Sequence, residues 1–410
     1  MTRPPSAPLT ARLPLVAGGG VALVAGLYGG LLLLGFGLPQ PQVGYVRPAL
    51  AEVHGPVMVL GFVGTLVALE RATALEARWA LSAPACAAVG ALALVIAGPT
   101  WPGQVLLAAA GVLLLGVYVA LWRRQPGPAL LAQAAGAFAW YAAALLSLAG
   151  LPVADLVPWL TTFVVATIAG ERLDLAPLAA LGPRLTPASA GADVATDRTV
   201  GPVRSATHRW FLAALAALLG GATAATLWPT VGAHLFGAGV LAVAGWLVTF
   251  DVARRTVRAR GLPRYVAVGL LAGFAWLAVA GVLWTGQGRM VAGPAYDATL
   301  HAVFLGFTMS MIFAHAPVVL PAVLRRSLPY RPVLYAPLGL LHAALLLRVL
   351  VGDGLQVAVV WRWAGAATVA AVVCFAACAV VLAARVGRGD PTPAGAAGDR
   401  AARVAAGAVR

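Results

Sequence analysis

The chain has 410 residues, of which 61% are hydrophobic and 10% are charged. This balance excludes a soluble domain and indicates a polytopic membrane protein. The net charge of +15 does not indicate binding to nucleic acid, because the basic residues, all of them arginine, lie in short segments between apolar runs. The three cysteines lie within apolar runs and predict neither a disulfide nor a cysteine-based metal site.

Twelve apolar runs, each of about 20 residues, are long enough to cross about 30 Å of hydrocarbon as α-helices. The sequence therefore predicts an all-α integral membrane protein embedded in the lipid bilayer. The first run is too long for the apolar region of a signal peptide, so we expect a retained helix. The predicted spans are 14–36, 50–70, 79–98, 103–122, 129–150, 153–171, 209–228, 231–251, 264–285, 295–320, 332–351 and 361–385.

The arginines also predict how the chain is divided and oriented. Most of them fall after even-numbered spans or near the two termini, and the positive-inside rule then places both termini in the cytoplasm. A long segment rich in Ala, Pro, Thr and Asp separates two sets of six helices. The predicted division is helices 1–6 in 1–172, a cytoplasmic linker in 173–207, helices 7–12 in 208–386, and a disordered cytoplasmic tail in 387–410.

Five of the six histidines lie inside the predicted spans. Counting about 1.5 Å per residue from the arginines of the inner surface separates them by depth. His54, His234 and His301 fall in an outer group, and His315 and His342 fall at matching depth further in. Imidazole is a common ligand of haem iron, copper and zinc. The alternative is that each ring is a hydrogen-bonded polar side chain at an interface or helix contact.

His301 and His315 also lie fourteen residues apart in the tenth span, which nearly restores the same face of a regular helix. Their different depths nevertheless predict that this helix lines two separate sites. We expect His301 to pair with His54, and His315 to pair with His342 at a second metal, with His234 available to either site.

The surroundings of the outer group favour a flat cofactor. His54 is followed by Gly55, Gly61 and Gly64, which clear space along the helix. The same glycines are also typical of close helix packing. Both explanations stay open on the sequence alone.

Charged residues near His301 suggest supporting roles. Asp297 lies four residues before it, on the same helix face, where a carboxylate can orient the ring nitrogen that does not bind metal. Arg348, Arg47 and Arg362 are cations of the outer side that can meet haem propionates. The alternative is that all four are ordinary charged residues at the membrane interface.

In architecture, the chain resembles the haem–copper oxidase subunit I superfamily, and within it is most similar to NnrS-type proteins of bacterial inner membranes. The residues that carry the resemblance are His54 with Met58, Gly61 and Phe62, and His301 with Ala302, Gly306 and Met311. The resemblance implies a b-type haem held by His54 and His301, copper as a second metal, and a redox or nitric-oxide-related role with a small redox molecule or diatomic gas as partner. It leaves the electron donor unidentified.

The chain departs from the oxidase pattern in two places. The sixth and seventh spans contain no histidine, and the tenth lacks two histidines one residue apart. An oxygen-reducing site of the oxidase kind is therefore not expected.

A secondary transporter built from two sets of six helices is the alternative function, although the loop after the second span lacks the glycine- and arginine-rich motif of the major facilitator plan. A structural or assembly factor without chemistry is a third possibility.

Overall fold

The computed structural model describes residues 9–39, 50–173, 200–324 and 328–387. Within these ranges all regular secondary structure is helical, and twelve helices are long and apolar enough to cross a membrane. The prediction of an all-α polytopic membrane protein is confirmed.

The twelve helices are numbered α1 to α12. Their bounds are α1 Leu9–Leu33, α2 Leu50–Leu75, α3 Ser82–Ala97, α4 Trp101–Arg124, α5 Pro128–Leu148, α6 Val153–Leu173, α7 Val200–Leu227, α8 Pro229–Phe250, α9 Leu262–Gln287, α10 294–324, α11 335–353 and α12 Ala358–Gly387. Short helical turns precede α3 at Arg78–Leu81, follow α8 at Ala253–Thr256 and precede α11 at Pro332–Leu334.

The predicted spans match these helices closely except at their ends. The largest difference is in α7, which begins at Val200 within the segment predicted as a linker. The remainder of that linker, 174–199, lies outside the described residues, as do Arg47 and the predicted tail beyond 387.

Proline and glycine mark many helix ends for physical reasons. Proline occupies the first or second position of α4, α5, α8, α9 and α10, where its missing N–H leaves no helical hydrogen bond unmade. Glycine follows α3 and α9 at Gly98 and Gly288, with φ of 77° and 69°, a conformation that L side chains rarely adopt. These residues set the lengths of the spans.

Small residues bring the helices of the second half close together. A Cβ atom built on Gly232 of α8 would lie 2.1 Å from the backbone of Ala224 in α7. One built on Gly237 of α8 would lie 2.4 Å from the backbone of Thr285 in α9. Such contacts replace the hydrophobic driving force that is missing between helices in lipid.

Three segments within the described ranges are π-helix. They are Val57–Val63 in α2, Ala302–Met309 in α10 and Leu347–Asp353 in α11. The i→i+5 hydrogen bonds of a π-helix add a residue to the turn and rotate the following α-helix by about 100°. The expectation that His301 and His315 share a face assumed a regular helix, and the eight π residues between them remove that assumption.

Helix α6 is the most enclosed of the twelve, because 78% of its most apolar 18-residue stretch is buried inside the protein. An ion pair ties each of its ends to the second half of the chain. At one end, Arg172 donates from Nε and Nη2 to Asp251 at 2.6 and 2.9 Å. At the other end, Arg289 donates to Asp155 at 2.9–3.1 Å.

Candidate functional site

The side chain of His54 is hydrogen-bonded to the backbone of α1. The Nδ1–H of His54 donates to the carbonyl oxygen of Gly26 at 2.6 Å. A carbonyl can only accept, so this bond fixes the proton on Nδ1 and leaves Nε2 with its lone pair. The ring lies over Gly30, where a Cβ atom would come within 3.1 Å of Cε1. Glycine at this position therefore makes room for the imidazole.

His301 has the same tautomer by the same means. Its Nδ1–H donates to the backbone carbonyl of Asp297 at 2.8 Å, one turn earlier in α10. The Asp297 carboxylate lies 3.4 Å from the same nitrogen. Asp297 was predicted to orient this ring through its carboxylate, and the structure shows that its backbone carbonyl makes the shorter contact. Such a bond from the second nitrogen is typical of metal-binding histidines.

Both rings line one cavity of about 350 Å³. Its walls come from α1, α2, α6, α10, α11 and α12, and they are mainly apolar, with Met58, Leu300 and Phe304 among them. Asp297 and Arg348 also line it. Helix α2 and the consecutive helices α10 and α11 thus bring together four of the predicted site residues: His54, Asp297, His301 and Arg348.

An ion cluster closes one side of this cavity. Arg348 donates from Nε and Nη2 to the two carboxylate oxygens of Asp297, both at 2.8 Å, and its guanidinium lies 5.2 Å from the centre of the Trp361 ring. Trp361 donates to the same carboxylate at 3.1 Å. Arg348 was predicted as a partner for propionates, but two of its donor groups are engaged by Asp297. The Arg348 side chain is buried, with 6% exposed, whereas Asp297 is half-buried, with 21% exposed.

Asp353 and Trp361 belong to this cluster and were missed by the sequence analysis. Asp353 is 7% exposed, interacts with Asp297 and Arg348, and its Oδ2 has no hydrogen-bond partner within the described chain. Both residues lie near span ends, where charge and tryptophan are normal for an interface. On a regular α-helix, residues five apart such as Arg348 and Asp353 do not share a face, so their spacing gave no signal.

His342 contacts protein groups through both of its ring nitrogens. Trp276 donates from Nε1 to its Nδ1 at 3.0 Å, so the proton of the neutral ring is on Nε2, which lies 3.3 Å from Ser310 Oγ. Both ring nitrogens are engaged by the protein. The predicted second metal site of His315 and His342 is therefore not supported by this geometry.

His315 is directed toward other groups. Its Nδ1–H donates to the Met311 carbonyl at 2.9 Å, and the charges acting on its ring come from Arg172, Glu70 and Asp251. These residues lie at the ends of α2, α6 and α8, away from His54. The expected separation in depth between His301 and His315 agrees with these neighbours, whereas the expected partner of His315 does not.

His234 lies outside the cavity. Its Nδ1–H donates to the Thr285 carbonyl at 2.8 Å, and its ring rests on Gly288 at the end of α9. His234 thus connects α8 to α9, and it does not line the cavity that contains His54 and His301. Among the residues that the structure describes, no group of three or more His, Cys, Asp or Glu side chains could hold a metal ion.

Comparison with known proteins gives one match. No curated protein and no solved structure matches this chain. A family model described as a domain of unknown function, DUF8744, matches residues 12–384, a range that contains both cavity histidines and the cluster around Asp297. Because the match covers well over half of the sequence, the chain belongs to the DUF8744 family.

Proposed function

We propose that this protein binds one haem through His54 and His301 and acts in electron transfer. The observation that carries the proposal is that two imidazoles line one cavity and each has its Nδ1–H bonded to a backbone carbonyl. Each ring is thereby left with Nε2 as its ligating atom. Within the described chain, neither Nε2 receives a hydrogen bond from another protein group.

The remaining residues fit such a group. A cavity of 350 Å³ lies within the range of cofactor sites, about 300–1,000 Å³. Its walls are mainly apolar, and Arg348 lies beside the cavity with its charge balanced by Asp297. A b-type haem is favoured because the sequence has no Cys-x-x-Cys-His segment for covalent attachment.

The ligand set determines which chemistry is expected. Haem supplies one-electron redox chemistry, and its axial ligands and burial set the potential. Two histidine ligands leave no coordination position for a gas, so we favour electron transfer over gas binding. Within the protein, the Asp297–Arg348 pair holds the α10 and α11 ends together beside the site.

Other parts of the proposal rest on the sequence. The arginine distribution supports a cytoplasmic position for both termini. The resemblance to NnrS-type proteins supports a bacterial inner membrane and a link to nitric oxide. Copper rests on that resemblance alone.

The test is spectroscopic. The full chain would be expressed with ample haem supply, purified in detergent, and measured by reduced-minus-oxidised difference spectrum and pyridine haemochrome. We expect one b-type haem per chain with a low-spin spectrum. His54→Ala and His301→Ala should each abolish the low-spin spectrum, because each removes one axial ligand.

His234→Ala is the matched control, since it removes an imidazole that lies outside the cavity and bonds only to a backbone carbonyl. It should retain the wild-type spectrum and haem content. A wild-type protein that is folded but carries no haem would overturn the proposal, as would a normal spectrum in both cavity variants.

A further inference from the structure

A second cavity, of about 470 Å³, lies next to the first. Helix α2 lines both, since Val53, Pro56 and Leu60 face the second cavity while His54 and Met58 face the first. Val153 and Leu160 of α6 line both cavities as well. The haem proposal makes no use of this second space.

The walls of the second cavity have an apolar part and a small polar part. Leu60, Leu107 and Leu160 belong to the apolar part. Glu52 is the one ionisable side chain among the lining residues of the described chain, and Gln104 and Ser147 add an amide and a hydroxyl. An arginine to balance an anion is absent from that lining.

The three polar residues lie at the same end of the bundle. Glu52 is near the start of α2, Gln104 is near the start of α4, and Ser147 is near the end of α5. Leu60 lies eight residues further along α2, or about 12 Å deeper at helical rise. The cavity therefore has a polar end near one membrane surface and an apolar end within the hydrocarbon.

The hydrogen bonds of Gln104 determine what this polar end offers. Its Nε2 donates to the Ser147 carbonyl at 3.2 Å and to Ser147 Oγ at 3.0 Å. The carbonyl can only accept, so the orientation of the amide is fixed and both Nε2 hydrogens are used. Gln104 is left with its Oε1 as an acceptor, and Ser147 is left with its hydroxyl proton as a donor.

We propose that this cavity binds an uncharged, membrane-soluble molecule with a hydroxyl-bearing head and an apolar body. The hydroxyl donates to Glu52 or to Gln104 Oε1, and a head-group oxygen accepts from Ser147. An anionic phospholipid head is disfavoured because it would meet the Glu52 carboxylate. Two classes of membrane molecule share the required chemistry, namely an alkyl hydroquinone and a neutral glycerolipid.

The experiment measures binding to the purified full chain by titration calorimetry. Separate probes distinguish an alkyl hydroquinone from a neutral glycerolipid. The probes are decylubiquinol, 1,2-dioctanoylglycerol and dioctanoylphosphatidylglycerol. We expect one of the two neutral probes to bind saturably at one site. Gln104 is partly buried and Glu52 is exposed. Because each change removes one hydrogen-bond acceptor, we expect Gln104→Leu to weaken that binding about tenfold and Glu52→Leu about threefold. Glu52→Gln should fall between wild type and Glu52→Leu.

Gln287→Leu is the control for Gln104→Leu, because Gln287 is exposed at the end of α9 and lines neither cavity. It should bind like wild type.

Unchanged size-exclusion profiles would show that the variants are folded. Failure of both neutral probes to saturate, equal binding by the three polar-site variants and wild type, or equally tight binding of the phosphatidylglycerol would each overturn the proposal. Binding is measured whether or not haem is present, so the two proposals can fail separately.

Discussion

At the scale of single residues, the histidines are distinguished by their partners. His54 and His301 bond through one nitrogen to a backbone carbonyl, whereas His342 is engaged at both nitrogens by Trp276 and Ser310. Sequence spacing predicted that His301 and His315 have different surroundings, which agrees with their separate neighbours. It could not give the second partner, because Trp276 lies on another helix and its contact with His342 depends on packing.

The role of His342 is tested by Trp276→Phe. This change removes the donor to Nδ1 and leaves a buried polar atom unpaired, so we expect a loss of about 1–3 kcal/mol of stability. The haem spectrum should not change. The measurement is denaturant unfolding in detergent, with Trp210→Phe as control because Trp210 is 68% exposed. Loss of the low-spin spectrum in Trp276→Phe would instead make His342 part of the haem site.

At the scale of the element, the π segments are the main departure from what the sequence predicted. The spans of the twelve helices follow from apolar length, and they were predicted to within a few residues at most ends. The local change from i→i+4 to i→i+5 bonding has no comparable signal in hydropathy. Yet it occurs in the three helices that supply His54, His301 and Arg348, and π turns are frequent at functional sites.

Packing within one of these segments can be tested at Gly306. A Cβ atom there would lie 2.4 Å from Cγ of Trp276, so Gly306→Ala must displace a large buried ring. We expect destabilisation of about 1–3 kcal/mol from overpacking. Gly339→Ala in α11 is the matched control, because nothing lies within 4 Å of its Cβ position. Equal unfolding midpoints for the two variants would contradict this account of the packing.

At the scale of the whole molecule, α6 joins the two sets of six helices through ion pairs of different burial. Arg172 and Asp251 are 5% and 0% exposed, whereas Arg289 and Asp155 are 41% and 27% exposed. Arg172 lies in the last turn of α6, a position where an arginine is ordinary for a membrane interface. Its partner could not be identified, because Asp251 follows α8 and is brought close only by the packing of α8 against α6.

The two pairs predict unequal effects of equivalent substitutions. Asp251→Asn leaves a buried guanidinium without its charge partner and should cost about 3–5 kcal/mol. Asp155→Asn affects a solvent-exposed pair and should cost about 1 kcal/mol or less. Denaturant unfolding of both variants in the same detergent gives the comparison, and the double variant Arg172→Leu with Asp251→Leu should recover part of the loss. Similar costs for the two single variants would show that burial does not separate the pairs.

The bond between His54 and Gly26 has a consequence for how the protein is assembled. The carbonyl that orients His54 belongs to α1, while His301 belongs to α10, more than 260 residues later in the chain. The two rings can line one cavity only after α10 has been inserted into the membrane. The proposed haem would therefore load only after α10 has been inserted, and its site would depend on the packing of α1 against α2.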